Sequence, residues 1–158
     1  DLYWDKKFIN EQKDAFRHQI RLAKSNHLPI VIDVRDSFQE TFEIVKEEQD
    51  GTLKGIFHCF TGDEVEASKI IDLGFLLGMG GVLTFKNSSL DTVIKSMNIE
   101  NLVLETDSPY LSPVQKRGKR HESAYVVYVA QKIAEIYDVH LAKVAEITTL
   151  NARELFGI

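Results

Sequence analysis

Short apolar runs alternate with longer amphipathic stretches along this chain. The apolar runs have the length of strands and cover residues Pro29–Ile32, Gly55–Phe60, Phe75–Phe85 and Leu102–Leu104. Stretches with apolar residues at helical spacing lie between them. This alternation is typical of parallel strands joined by crossover helices. The sequence therefore predicts an α/β fold with about four βα units, followed by helices at the end of the chain.

Helix-start and helix-end signals support this division. Ser37 and Glu40 have the spacing of a capping box, which predicts that a helix begins at Ser37. A further helix is predicted from Asp63 to Asp72, with Gly74 as a left-handed cap at its end. A short helix is predicted from Ser88 to Met97. The remaining helices are expected at 11–24, before the first strand, and at 123–137, 140–148 and 151–156, after the last one.

The third apolar run contains three glycines, Gly78, Gly80 and Gly81. We expect a strand or a pair of strands here, and glycines inside a strand usually mark the close approach of another backbone or a ligand. The spacing differs from the GxGxxG pattern of dinucleotide-binding loops, and no helix follows at once. The glycines are therefore predicted to serve packing rather than phosphate binding.

Composition narrows the class of protein. The chain has 158 residues, 44% of them hydrophobic and 27% charged, with a formal net charge of -5. These values fit one globular domain over residues 1–158 and exclude disordered, collagenous and disulfide-stapled chains. A single cysteine, Cys59, no apolar run approaching about 20 residues and no signal peptide favour a cytoplasmic location. The first residue is Asp1 rather than Met, from which we expect that upstream sequence has been removed.

Three residues lie at or near the ends of predicted strands: Asp33 after the first apolar run, His58 in the second and Asp107 after the fourth. Functional side chains collect at the carboxyl ends of parallel strands, so we expect these three at one end of the sheet. Carboxylate and imidazole groups suit a divalent cation that polarises a phosphate or activates a water. The sequence therefore predicts a metal site built from these residues.

Each of these residues also has a structural explanation when it is taken alone. Asp33 could cap a helix, His58 could be a hydrogen-bonded core histidine, and Asp107 could belong to a turn before Pro109. Their recurrence at the same end of three strands favours a shared site. Cys59 is predicted to be a buried structural cysteine, because alternation along a strand directs it away from the face of His58.

A basic run follows the last strand. It contains Lys116, Arg117, Lys119 and Arg120. Its position in the loop beyond the last strand suits binding to phosphates of a nucleic-acid backbone. A solvated charge run on the surface of an acidic protein explains it equally well.

Two short motifs are more specific than any of these residues: His-Cys-Phe-Thr-Gly at 58–62 and Glu-Thr-Asp-Ser-Pro at 105–109. Together with further segments they resemble the TatD family of metal-dependent deoxyribonucleases, in order and over nearly the whole chain. The further matching segments are 28–36, 81–87, 104–111, 117–120 and 151–156.

The resemblance implies a TIM-barrel (β/α)8 metal-dependent hydrolase that cleaves phosphodiester bonds in DNA with a divalent metal ion, Mg²⁺, Mn²⁺ or Zn²⁺. His58 and Asp107 match metal ligands of the family, and Asp107 is also the expected catalytic base. Asp33 stands where the family has a histidine ligand, and a carboxylate suits Mg²⁺ or Mn²⁺. Arg35 and the basic run are the candidates for binding substrate.

The family's opening His-x-His strand and its glutamate ligand have no counterpart in this chain. A TIM barrel takes about 250 residues and eight strands, more than this sequence supplies. Residues 1–4 resemble the loop after the family's fourth strand, so we expect only the C-terminal half of the barrel. We expect DNA as substrate, no membrane association, and weak or no activity of the chain by itself. The missing N-terminal half, or a second copy bound through exposed sheet edges, would complete the sheet.

Two other functions fit the same residues. A half-barrel without its upstream ligands would be a catalytically inactive interaction module. A metal-dependent hydrolase of a small ester or amide would share the site, because barrels of one type host many reactions.

Overall fold

The computed structural model describes all residues from 1 to 158 and contains one four-stranded sheet. The strand order is β1-β2-β3-β4, and each strand is parallel to its neighbours. The strands are β1 (Ile30–Asp33), β2 (Gly55–His58), β3 (Leu76–Met79) and β4 (Leu102–Leu104). The predicted α/β class, with parallel strands joined through helices, is confirmed.

Six α-helices surround these strands in chain order. They are α1 (Ile9–Ser25), α2 (Phe38–Glu48), α3 (Glu64–Asp72), α4 (Leu90–Lys95), α5 (Val126–Tyr137) and α6 (Leu141–Phe156). None of them combines the length and the apolar character that crossing a membrane requires.

The hydrophobic core joins the sheet to all six helices. It is a cluster of 21 buried residues, with Ile20 from α1, Leu77 from β3 and Ile133 from α5 completely inaccessible. Phe57 and Phe75 meet edge to face near its centre, with ring centroids 5.7 Å apart, which is a favourable geometry for two aromatic rings. This core fixes the strands whose carboxyl ends carry the candidate site.

The register of the sheet sets which residues lie side by side. Asp33 is the direct partner of His58 across β1 and β2, and Gly78 is the partner of Val103 across β3 and β4. Side chains alternate between faces along each strand, so Asp33 and His58 point to the same face. The two residues therefore lie at the same end of the sheet, as the sequence predicts.

The capping box predicted at Ser37 is wrong. Ser37 precedes α2, but its hydroxyl caps no backbone N–H and is buried without a partner. Its ψ of 25° is far from the extended value that directs a capping side chain along the helix start. The only complete capping box lies at α3, where Asp63 has an extended backbone and pairs reciprocally with Glu66.

Two other element predictions need correction. The third apolar run holds a single strand, which is followed by a 3₁₀ turn over Gly81–Thr84 rather than by a second strand. A side chain at Gly81 would overlap with the backbone oxygen of Leu111, so the later loop packs directly on this turn. At the end of the chain, the two helices predicted from residue 140 onward form one helix, α6. Asn151 continues this helix and donates its side-chain N–H groups to the oxygens of Glu100 and Leu102.

The two outer strands have different surroundings. Helix α6 packs against β4, and its Asn151 side chain binds the backbone at the start of that strand. Beside β1, by contrast, an open and largely apolar groove separates the strand from α1. Val31 on β1 is 55% exposed and Leu28 is 61% exposed. The sheet is therefore covered on the β4 side and open on the β1 side.

Candidate metal and substrate site

His58 and Asp107 meet at the carboxyl end of the sheet. His58 is the last residue of β2, and Asp107 follows the end of β4. The Nε2 atom of His58 lies 3.0 Å from Oδ1 of Asp107, although 49 positions separate the two residues in the chain. The parallel strands thus bring two of the predicted metal ligands into direct contact.

The other oxygen of Asp107 has no partner. Oδ2 is buried and accepts no hydrogen bond, which is costly for a carboxylate oxygen away from water. Gly80 lies beside it, and a Cβ atom at that position would approach Oδ2 to 3.4 Å. A free carboxylate oxygen next to an imidazole nitrogen is a donor set that fits a divalent cation.

Glu105 is the third member of this cluster, and no function was predicted for it from the sequence. Its Oε2 atom lies 2.8 Å from Nδ1 of His58, and its Oε1 atom accepts the backbone N–H of Cys59. The signal that could have found it is the two-residue spacing to Asp107, since alternate residues of an extended segment share a face. The imidazole of His58 thus lies between two carboxylates.

Burial and the neighbouring charges change the pKa of His58 in opposite directions. Burial lowers the pKa of His58, but the carboxylates of Glu105 and Asp107 outweigh it, so the pKa is raised from its ordinary value. Burial raises the pKa of Glu105. In the absence of a cation, the two carboxylates therefore favour a hydrogen on each ring nitrogen of His58.

Asp33 lies at the same end of the sheet but outside this cluster. Its carboxylate is 3.7 Å from the guanidinium of Arg35, and the Asp33 side chain is 60% exposed. No group of three or more His, Cys, Asp or Glu side chains converges in the geometry of a metal site. The predicted trio is therefore only partly assembled, because the carboxylate of Asp33 remains in solvent beside Arg35.

Cys59 is not a nucleophile in this environment. Burial and the nearby carboxylate of Asp107 raise the pKa of its thiol to about 12, so the reactive thiolate is scarce at neutral pH. Cys59 is half-buried rather than fully buried as predicted, and the alternation argument does not apply. Cys59 lies beyond the end of β2 with a φ of 46°, which directs its backbone N–H toward Glu105.

The basic run divides into two parts. The ammonium group of Lys116 lies 5.2 Å from the ring centre of Tyr125, and the guanidinium of Arg117 lies 5.2 Å from that of Phe85. These are cation–π distances. Lys119 and Arg120 are exposed. Two of the four cations in the basic run are thus exposed to solvent, and the other two lie over aromatic rings.

Comparisons with known proteins add a family to this geometry. The model of the family described as TatD related DNase matches residues 1–157. The metal-dependent hydrolase YabD of Bacillus subtilis is 44% identical over the whole chain, which covers 62% of YabD. The metal-dependent hydrolase YcfH of Escherichia coli K12 is 35% identical over the whole chain, which covers 60% of YcfH.

Solved structures share the fold. The Escherichia coli TatD homologue YjjV superimposes with a TM-score of 0.93 at 24% identity, and the match covers all of this chain and 61% of YjjV. A TatD family hydrolase of Entamoeba histolytica gives a TM-score of 0.82 at 23% identity, covering 98% of this chain and 58% of that protein. The matches to the curated relatives are similarly partial, since the chain spans 60–62% of the length of YabD and YcfH.

Proposed function

The chain belongs to the TatD-related DNase family, and on that premise we propose that it forms part of a divalent-metal-dependent hydrolase that cleaves phosphodiester bonds in DNA. The observation that carries the proposal is the contact of His58 with Asp107, whose second oxygen is buried and unpartnered. The metal-dependent hydrolases among its relatives support the metal-dependent hydrolysis, and the DNA substrate is the finer part of the proposal.

In this proposal His58, Asp107 and Asp33 hold the cation, which is Mg²⁺, Mn²⁺ or Zn²⁺. When bound, such a cation polarises a phosphate and makes a water molecule more acidic. Asp107 accepts the proton of the attacking water, which is the general-base step. Arg35 lies beside Asp33 and offers its guanidinium to a substrate phosphate.

The loop after β4 supplies the contacts to the DNA backbone. Lys119 and Arg120 follow Gly118 in this loop and are exposed, so both can reach a phosphate without leaving another partner. Lys116 and Arg117 would first have to leave their aromatic rings. We therefore assign most of the electrostatic contribution to Lys119 and Arg120.

Salt-dependent DNA binding tests this assignment. Replacing Lys119 and Arg120 by Ala should reduce the slope of log affinity against log salt by about 1.8 for duplex DNA, or about 1.4 for single strands. The matched control replaces Lys46 and Lys95, which are exposed in the last turns of α2 and α4. These turns lie near the amino ends of the strands, at the opposite end of the sheet from the basic run. Fluorescence anisotropy with a labelled oligonucleotide gives both slopes. Equal slopes in the two variants would leave the basic run as a solvated surface.

Metal and substrate chemistry are tested together. We expect calorimetry to show binding of Mn²⁺ to the chain and its loss in Asp107→Ala. Cleavage of DNA by the chain alone should be weak, because few candidate ligands are present. Absence of both metal and DNA binding would reject the proposal and favour an inactive interaction module. Turnover of a nitrophenyl ester without DNA binding would favour the small-ester hydrolase.

The four βα units correspond, in this proposal, to the second half of a (β/α)8 barrel, since the curated relatives are longer than this chain. In the isolated chain we propose that a second copy covers the open β1 side. An outer strand with an apolar groove beside it favours pairing with another chain. Light scattering on the isolated chain would show a dimer, and a strict monomer at high concentration would contradict it.

A further inference from the structure

Glu105 is held more tightly than its place in a loop would suggest. Its side chain is only 14% exposed, and each carboxylate oxygen has its own partner. Oε2 contacts Nδ1 of His58, and Oε1 accepts the N–H of Cys59. Neither the proposed metal ligands nor the proposed DNA contacts give this carboxylate a role.

The surrounding backbone is shaped for this carboxylate. A Cβ atom on Gly78 would overlap with both oxygens of Glu105, so a larger residue there would displace the carboxylate from its present position. Cys59 adopts a φ of 46°, a conformation that costs free energy in a residue with a side chain. That turn directs its N–H at Oε1. A glycine in β3 and an unusual backbone conformation just after β2 thus both accommodate the side chain of Glu105.

The consequence for His58 is chemical. An ionised carboxylate only accepts hydrogens, and Oε2 of Glu105 lies 2.8 Å from Nδ1 of His58, so this contact favours a ring that carries a hydrogen on Nδ1. The opposite ring nitrogen, Nε2, then points at Asp107. Carboxylates that bind the second nitrogen of a ligating histidine fix the ring and leave the other nitrogen for the metal.

We infer that Glu105 is a positioning residue that holds the His58 ring with Nε2 directed at the metal position. This inference rests on the proposed role of His58 as a metal ligand. Glu105 does not bind the metal or the substrate in this scheme, and acts only through His58.

The variant Glu105→Gln distinguishes a positioning role of Glu105 from a role in packing alone. The side chain of Gln has the same shape, but it has one accepting oxygen and one donating NH₂ group. His58 and Cys59 both offer hydrogens, so Glu105→Gln can satisfy only one of them. Glu105→Asp keeps the charge, but it is one methylene shorter and withdraws the carboxylate from His58. Glu100→Gln is the matched control, because Glu100 is exposed just before β4.

The first measurement is a proton–nitrogen NMR correlation of the histidine rings in the metal-free chain. In wild type and Glu100→Gln, we expect a slowly exchanging, low-field Nδ1 hydrogen on His58, assigned by its absence in His58→Gln. In Glu105→Gln and Glu105→Asp this signal should be lost, with circular dichroism confirming that at least one of the two is folded. A folded variant that keeps the signal would overturn the inference.

The second measurement is zinc affinity by calorimetry on the same proteins. We expect Glu105→Gln to weaken binding by about 10- to 100-fold, the usual effect of removing such a partner, and Glu100→Gln to leave it unchanged. If wild type and His58→Gln bind zinc equally, the proposed ligand role of His58 fails, while the ring signal still decides whether Glu105 holds His58. If His58→Gln loses zinc and Glu105→Gln does not, the positioning role is rejected and the ligand role stands.

Discussion

An aspartate lies at the carboxyl end of each outer strand, but one is largely buried and the other is exposed. Beyond β4, Asp107 is 19% exposed and contacts a histidine, whereas Asp33 at the end of β1 is 60% exposed and faces Arg35. Helix α6 packs on β4, whereas an open groove lies between β1 and α1. The difference shows that burial, more than residue type or distance past a strand, decides which carboxylate becomes coupled to its neighbours.

The largest expected difference between the two ends is in metal binding. Asp107→Ala should weaken Mn²⁺ binding by at least about 100-fold, because it removes a desolvated donor next to His58. Asp33→Ala should cost about tenfold or less, because an exposed carboxylate paired with Arg35 is already well solvated. Calorimetry on the two variants gives the ratio. Equal losses would mean that Asp33 moves into the cluster when the cation binds.

The open side of β1 should also respond to added charge. Val31→Glu should weaken self-association by more than about tenfold, because the new carboxylate would be desolvated in the interface. Val65→Glu is the matched control, since Val65 on α3 is similarly exposed, at 61%, but lies away from β1. Sedimentation equilibrium measures both. A dimer weakened equally by the two changes would place the interface elsewhere.

The cluster of His58, Asp107 and Glu105 should give the stability of the chain a pH dependence that comes from His58. Since the pKa of His58 is raised, its protonated form stabilises the fold fully below the ordinary pKa of about 6.5, and this contribution is lost as pH rises through the folded value. Metal affinity should change in the opposite direction, by at most about tenfold per pH unit, because a cation must displace the Nε2 hydrogen.

Thermal melts and calorimetry across about pH 5 to pH 9 test both trends. In His58→Gln the thermal melts should lose this component. The metal-binding trend is contradicted if affinity is flat over the same range.

The smallest expected effect concerns the covered side. Asn151→Ala removes two hydrogen bonds to the backbone before and within β4, and should lower the free energy of unfolding by about 1 kcal/mol. Asn98→Ala is the control, because Asn98 is exposed and caps nothing with its side chain. Urea unfolding of both variants measures the difference. An unchanged midpoint for Asn151→Ala would mean that packing alone holds α6 on β4.

Much of this organisation could be predicted from the sequence. Apolar runs located the strands, and the ends of those runs located Asp33, His58 and Asp107. The exposure and contacts of each side chain could not be predicted, because they depend on which distant segments pack near the end of the strand. Helix α6, for example, packs on β4 but lies far from it in the chain. Glu105 was missed for a similar reason, since its partners, His58 and Cys59, come from another strand. The predicted cap at Ser37 failed because the residue has a ψ of 25° rather than the extended value, and a residue-spacing pattern carries no information on that angle.

The cation–π contacts of Lys116 and Arg117 affect the entropy of DNA binding. Ordering a residue's backbone costs about 1–2 kcal/mol, and a ligand that must order a loop is bound more weakly by that amount. Contacts of Lys116 with Tyr125 and of Arg117 with Phe85 already fix the path of the chain before Gly118. Lys119 and Arg120 therefore extend from a backbone whose ordering is part of folding, and the free energy of their contacts with a phosphate goes more completely into affinity.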